Sequence, residues 1–186
     1  MRTKLTTDAL DARKSASEAI RAHKAPIIGC LDNIRSLYNV GSMFRTADGA
    51  GIESLLLLGF TPQPPRKEIS KTALGSVDTV PWRHCTSTEE LYAIVKERGA
   101  TLCVLEQTSD SIPHSALRPE HFPLFLVVGN ELTGVRHELV EIADVALEIP
   151  MFGEKHSLNA AVAFGIGVYE ALRVWRNFPV PSQSLR

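Results

Sequence analysis

The sequence predicts an α/β fold: a mostly parallel sheet flanked by helices. Two observations carry that prediction. Short continuous apolar runs, SLLLLG over 54–59 and LFLVVG over 124–129, are bounded by turn residues, the pattern of strands covered on both faces. Segments of helical composition separate such runs along the chain, and this alternation favours parallel pairing.

The elements follow in order. Residues 7–23 have helix-forming composition, with Leu10, Ala16, Ile20 and Ala22 on a thin apolar face, as in an appended helix whose partner is RNA or another subunit. Pro26 precedes IIGCL, a short buried strand. Asn39 is placed to cap a helix from Val40, with Val40, Met43, Phe44 and Ala47 on its inner face and Gly49 and Gly51 at its end. The strand over 54–59 comes next. TPQPPRKEISKTALGS reads as a loop, because Pro62, Pro64 and Pro65 oppose regular pairing. Ser87-Thr88-Glu89-Glu90 is a capping-box pattern that opens a helix to about Arg98. Strands TLCVLEQ and LFLVVG follow, then a helix over 135–143, a short strand VALEIP and a last helix over 157–175.

A chain of 186 residues with 44% hydrophobic content suits one domain and can bury a core. No apolar run approaches the ~20 residues of a bilayer span. The basic N-terminus lacks the apolar stretch of a secretory signal, so a cytoplasmic location is expected. Cys30, Cys85 and Cys103 are odd in number and far apart, which gives neither a disulfide framework nor a zinc site. His114, His121, His137 and His156 show no ligand spacing, and no metal is expected. The net charge of −1 is a poor match to a nucleic-acid binder. The basic residues nevertheless cluster, with Arg2, Lys4, Arg13, Lys14, Arg21 and Lys24 near the N-terminus and Arg66, Lys67 and Lys71 in one loop, while Glu138, Glu141 and Asp144 gather later. An unevenly charged solvated surface accounts for this distribution equally well.

Several activities lack their motifs. No GxxxxGK[ST] or GxSxG segment occurs. Gly165-Ile166-Gly167 lies inside the last helical pattern and not between a strand and a helix, so it fails as a dinucleotide fingerprint. Its simpler meaning is close approach of another helix, such as one from a second subunit.

Three polar clusters remain. The first, Asn39-Val40-Gly41-Ser42-Met43-Phe44-Arg45-Thr46-Ala47, places Arg45 about two turns after Asn39; a helix cap and an exposed helical arginine explain it structurally. The second, Gly129-Asn130-Glu131-Leu132-Thr133-Gly134, directly follows a strand. Ligands of α/β sheets bind beyond such strand ends, though a plain turn is the other reading. The third runs from Ile149-Pro150-Met151 through a glycine loop to Ser157-Leu158-Asn159 at the start of a long helix. Helix N-termini offer free N–H groups to a ligand, and Ser157 as an ordinary cap is again the alternative.

Together, in this order, the clusters resemble the SpoU/TrmH family of RNA ribose methyltransferases in the SPOUT superfamily. The matching patterns are Asn-x-Gly-x-x-x-Arg-Thr-Ala at 39–47, Gly-Asn-Glu-x-x-Gly at 129–134, and Ile-Pro-Met with Ser-Leu-Asn-x-Ala at 149–151 and 157–161. The resemblance covers roughly residues 26–175. It implies a C-terminal deep trefoil knot of the SPOUT type, a homodimer, and S-adenosyl-L-methionine as cofactor. It divides the chain into a basic helical extension (1–25), a methyltransferase domain (26–178) and a tail (179–186). Leu105, Glu106, Gln107, Gly129, Asn130, Gly134, Ile149, Pro150, Met151, Ser157, Leu158 and Asn159 would hold the cofactor.

The implied reaction moves a methyl group to a ribose 2′-OH, with tRNA favoured over rRNA. In relatives the matching arginine is proposed to deprotonate that hydroxyl. Arginine stays protonated far above neutral pH, so Arg45 is expected instead to grip an RNA phosphate and orient the 2′-OH. Asn39, Glu131, Ser157 and Asn159 would position the reacting groups, and Arg35, Arg66, Lys67 and Lys71 would contact RNA. A knotted RNA-binding protein without activity, an rRNA enzyme and a base methyltransferase are the rival readings.

Overall fold

The computed structural model describes residues 3–16 and 24–177. Helix α1 spans Thr7–Ala16. The rest of the helix expected to reach residue 23, and the 179–186 tail, lie outside the described residues.

Seven strands form one sheet: β1 (Ala25–Asp32), β2 (Ile52–Leu58), β3 (Trp82–Cys85), β4 (Thr101–Leu105), β5 (Ile112–Pro113), β6 (Leu124–Val128) and β7 (Val145–Glu148). Their order is β3-β2-β1-β6-β4-β7-β5, and each ladder is parallel. The expected mostly parallel sheet is therefore present. Helices α2 (Leu37–Ala50), α3 (Lys67–Ala73), α4 (Ser76–Thr79), α5 (Thr88–Glu97), α6 (His137–Ile142) and α7 (Ala160–Asn177) complete the fold.

Alternation along β1 assigns the two faces. Ile27 and Leu31 join Met43, Phe44, Ile69, Phe164 and Val168 in a core beneath α2, α3 and α7. Ile28 and Cys30 join Leu91, Val95 and Leu139 in a second core beneath α5 and α6. Two glycines allow the close packing of α7. A Cβ on Gly29 would lie 2.8 Å from the Phe164 ring, and one on Gly167 would lie 3.1 Å from Leu105 and Leu126 side chains. Gly167 therefore faces the chain's own sheet, contrary to the expectation that both Gly165 and Gly167 serve a second subunit.

Other expectations need correction. The segment 61–76, expected as a loop, contains α3, because Ile69 and Ala73, one helical turn apart, are buried against the core, and it ends at the first residue of α4. Helix α2 starts three residues early: Ser36 Oγ caps it by accepting from the Asn39 N–H at 3.3 Å. Asn39 is thus inside the first turn, with its amide free for other work. Helix α7 starts at Ala160 and not at Ser157. Asn159 Oδ1 accepts from the Ala161 and Val162 N–H groups at 2.9 and 3.3 Å, which is how an N-cap satisfies the first free donors. Among the described residues no helix is long and apolar enough to cross a membrane, and no group of three or more His, Cys, Asp or Glu is placed to hold a metal.

Candidate active site

Strands β1 and β6 are neighbours, yet α2 leaves β1 toward one face while α6 follows β6 on the other. Such a divergence opens a crevice at the carboxyl ends of the strands. The loops that fill this crevice carry the second and third polar clusters, and the first turn of α2 brings Asn39 of the first cluster to them.

Glu131 is the hub. Its Oε2 accepts from the Arg35 N–H at 2.9 Å, and its Oε1 accepts from the Ser36 N–H at 3.1 Å and from Asn39 Nδ2 at 2.8 Å. These donors include the free N–H groups ahead of α2, where a carboxylate is favoured by the helix dipole. Partial burial pushes the Glu131 pKa up, but hydrogen bonds from Arg35, Asn39 and Ser36 outweigh it and hold the carboxyl below its usual range. Asn39 continues the chain, since its Oδ1 accepts from Asn159 Nδ2 at 3.2 Å. One side-chain path, Glu131–Asn39–Asn159, thus joins the second, first and third clusters.

The Gly129–Gly134 turn is locked from within. Asn130 and Gly134 exchange backbone hydrogen bonds at 3.0 and 2.9 Å. Asn130 Oδ1 accepts from the Leu132 N–H at 2.9 Å, and its Nδ2 donates to the Asn33 carbonyl at 2.7 Å. Gly134 has φ +71°, a conformation that favours glycine. A Cβ there would also collide with Glu106 Oε2, and one on Gly129 would collide with the Gly134–Val135 backbone. Glu106 in turn accepts from the Val135 N–H at 2.9 Å.

These loops enclose a cleft of about 870 Å³ at the ends of β4, β6 and β7, within the ~300–1,000 Å³ of typical small-molecule sites. Its walls are apolar at Leu105, Val128, Leu147, Ile149 and Leu158 and polar at Glu106, Gln107, Thr108 and Ser157. Of the expected cofactor residues, Leu105, Glu106, Gln107, Gly129, Asn130, Gly134, Ile149, Met151, Ser157 and Leu158 line it, while Pro150 and Asn159 do not. Gln107 Nε2 also donates to the His156 carbonyl and ties the glycine loop to the end of β4.

Arg45 stands apart. It is exposed and lines a second recess of about 610 Å³ with Ser42, Thr46, Gly49, Lys71, Thr72 and Tyr169. Of the other basic candidates, Arg35, Arg66 and Lys67 are exposed on loops and at the start of α3.

The sequence profile of the SpoU rRNA Methylase family matches residues 26–169. The chain belongs to this family. Among SpoU-type relatives, the 23S rRNA (guanosine-2′-O-)-methyltransferase RlmB of Vibrio parahaemolyticus is 29% identical over 84% of this chain and 62% of that protein. The chain thus spans about three-fifths of the length of the rRNA relatives it matches. The tRNA (guanosine(18)-2′-O)-methyltransferase of Aquifex aeolicus is 32% identical over 86% of this chain and 75% of the relative. Two solved structures agree. An AdoMet-bound rRNA methyltransferase from Sinorhizobium meliloti superposes with TM-score 0.75 at 30% identity, over 83% of this chain and 59% of that one. The A. aeolicus TrmH/SpoU tRNA modifying enzyme superposes with TM-score 0.74 at 30% identity, over 87% and 83%.

Sequence reasoning missed one feature of this SpoU-family site. Arg136, which lines the cleft, pairs with the buried Asp32: its N–H and Nε donate to the two carboxylate oxygens at 2.9 and 2.7 Å. The only signal was an aspartate at the end of a strand, 104 residues away in sequence.

Proposed function

We propose that this chain transfers a methyl group from S-adenosyl-L-methionine to a ribose 2′-hydroxyl of RNA, and that the RNA is tRNA. The Glu131–Asn39–Asn159 path at the edge of the 870 Å³ cleft carries this reading. It ties the three clusters into one site beside a cavity sized for a nucleoside ligand. The cofactor fits the lining: apolar walls for an adenine, and backbone groups of two tight loops for a ribose. Leu105, Glu106, Gln107, Gly129, Asn130, Gly134, Ile149, Met151, Ser157 and Leu158 would hold it, with Pro150 shaping the loop behind them. When bound, it supplies an electrophilic methyl on a sulfonium centre.

The protein's part is alignment, which can contribute roughly 7–11 kcal/mol to such a displacement. Glu131 stays ionised and freezes Asn39. Asn39 and Asn159 fix the start of α7, beside which Ser157 faces the cleft. Arg45 grips an RNA phosphate and orients the hydroxyl. Its place outside the cleft suits a phosphate partner better than a role as proton acceptor. Arg35, Arg66 and Lys67 add exposed charge for the RNA backbone. The relative named as a tRNA enzyme, 32% identical to this chain, supports the choice of tRNA, and the RlmB relative, at 29%, makes rRNA the second arm of the test.

We further infer a homodimer through the outward face of the first turn of α7, where Val162 is 51% exposed, clear of the Tyr169 and Thr46 that line the Arg45 recess. A trefoil knot through the C-terminal segment is inferred with it, supported by the family and by the insertion of β7 between β4 and β5. An experimental backbone trace that pulls straight from both ends would remove the knot from this reading.

The direct experiment is transfer of labelled methyl groups to unmodified tRNA and rRNA transcripts, with the product mapped to ribose or base. Methylated tRNA ribose is expected. Base methylation, or no transfer to either RNA, would overturn the proposal. Arg45→Ala should lose ~10²–10³ in rate, and near-normal turnover would remove Arg45 from the site.

A further inference from the structure

The recess around Arg45 has a composition that the reaction alone does not demand. It lies between α2, α3 and α7 and is separate from the cofactor cleft. Two cations, Arg45 and Lys71, face it from different helices, and neither has an acidic partner among the described residues. The Ser42, Thr46 and Tyr169 hydroxyls line the same space and make no hydrogen bond among the described residues. Thr72 differs, because its hydroxyl donates to the Tyr38 carbonyl at 3.0 Å and so braces α3 against α2. Gly49 leaves the Tyr169 hydroxyl its room: a Cβ there would sit 3.3 Å from that oxygen.

Unpaired cations surrounded by uncommitted hydroxyl donors suit an oxyanion, and the one an RNA strand offers is the tetrahedral phosphodiester. Charged acceptors form the strongest hydrogen bonds to such donors. We propose that this recess is a phosphodiester subsite for the RNA strand, in which Lys71 supplies a second charge beside Arg45 and the Tyr169, Ser42 and Thr46 hydroxyls fix the phosphate's orientation. The inference rests on the RNA reading above and deepens it. Ser42 and Thr46 lie three and seven residues after Asn39 on α2, so one rigid helix sets the distance between the phosphate and the reacting end of the cleft. Lys71 is thereby distinguished from Arg66 and Lys67, which do not line this recess.

The test measures tRNA-transcript affinity as a function of salt for the full-length protein and its Lys71→Gln and Tyr169→Phe variants. Cofactor affinity by calorimetry and oligomeric state by light scattering are measured alongside. Lys71→Gln should weaken tRNA binding about tenfold. It should also reduce the slope of log K against log salt by ~0.7–0.9, the loss of one phosphate contact. Tyr169→Phe should weaken binding about two- to tenfold with the slope unchanged, since it removes a donor and no charge. Cofactor affinity should stay at the wild-type value in both. Wild-type slope and affinity in Lys71→Gln would overturn the subsite. So would variants that change only the oligomeric state, which would mean that a second copy covers the recess. The two readings fail separately. Weakened RNA binding without any methyl transfer would sink the proposed activity and keep the subsite. Methyl transfer with an unaltered salt slope would do the reverse.

Discussion

Glu131 gathers two backbone N–H donors ahead of α2 and one side-chain amide, that of Asn39, at a single carboxylate. A neutral amide cannot accept from all three donors equally, so Glu131→Gln should cost about 1–2 kcal/mol of stability and ~10²–10³ in methyl transfer. The stability part has a pH signature. The folded carboxyl titrates below its usual range, so its contribution is complete above the unfolded value of about 4.3 and is lost as pH falls through the folded one. Urea unfolding of wild type and variant should therefore differ constantly at neutral pH and converge in acid. A difference that grew on acidification would refute the assignment. The sequence showed Glu131 as a candidate but not its partners. Asn39 looked like a cap, and only Ser36 taking that place frees the amide to reach Glu131.

At the scale of elements, two contacts place the loops. Asp32, with a fully buried side chain at the end of β1, holds the start of α6 through Arg136. Burial raises the Asp32 pKa despite the opposing hydrogen bonds and charge of Arg136. The pair is therefore costly to break: Arg136→Met should lose about 3–5 kcal/mol at neutral pH, because it leaves a buried carboxylate uncompensated. That loss should shrink as pH falls and Asp32 takes up a proton, which equilibrium unfolding at two pH values would show. The second contact is Gly41 of the Asn-x-Gly pattern. A Cβ there would run into Thr72 Oγ1 and the Ile69 carbonyl of α3. Gly41→Ala should cost about 1–3 kcal/mol and weaken tRNA binding as Lys71 moves from Arg45; unchanged affinity would uncouple α3 from the recess. Helix α3 itself was obscured in the sequence by the prolines before it. The spacing of Ile69 and Ala73 was its one legible sign. By contrast, β2, β6 and α5 were plain, because their apolar runs and capping box need no distant partner.

Over the whole molecule, the alternation of strands and helices made the parallel sheet legible, but strand order was not, since all interior strands are similarly apolar. That order matters because it sets β1 beside β6 and brings residues some ninety positions apart into one hydrogen-bonded path. It also sends α7 back across the sheet with Phe164 and Val168 inward and Val162 and Tyr169 outward. Val162, exposed in the first turn of α7 and two turns before the Tyr169 of the Arg45 recess, is where the proposed dimer would meet a second copy while leaving the recess open. Val162→Asp tests this without a buried substitution, because Val162 is 51% exposed and belongs to neither buried cluster. A carboxylate without a partner in a helix–helix contact costs several kcal/mol. The dimer constant should therefore weaken by about two to three orders of magnitude. Light scattering at micromolar concentration should show a monomer for the variant and a dimer for wild type, while the variant keeps its folded circular dichroism. A monomeric wild type, or a variant as dimeric as wild type, would remove α7 as the interface.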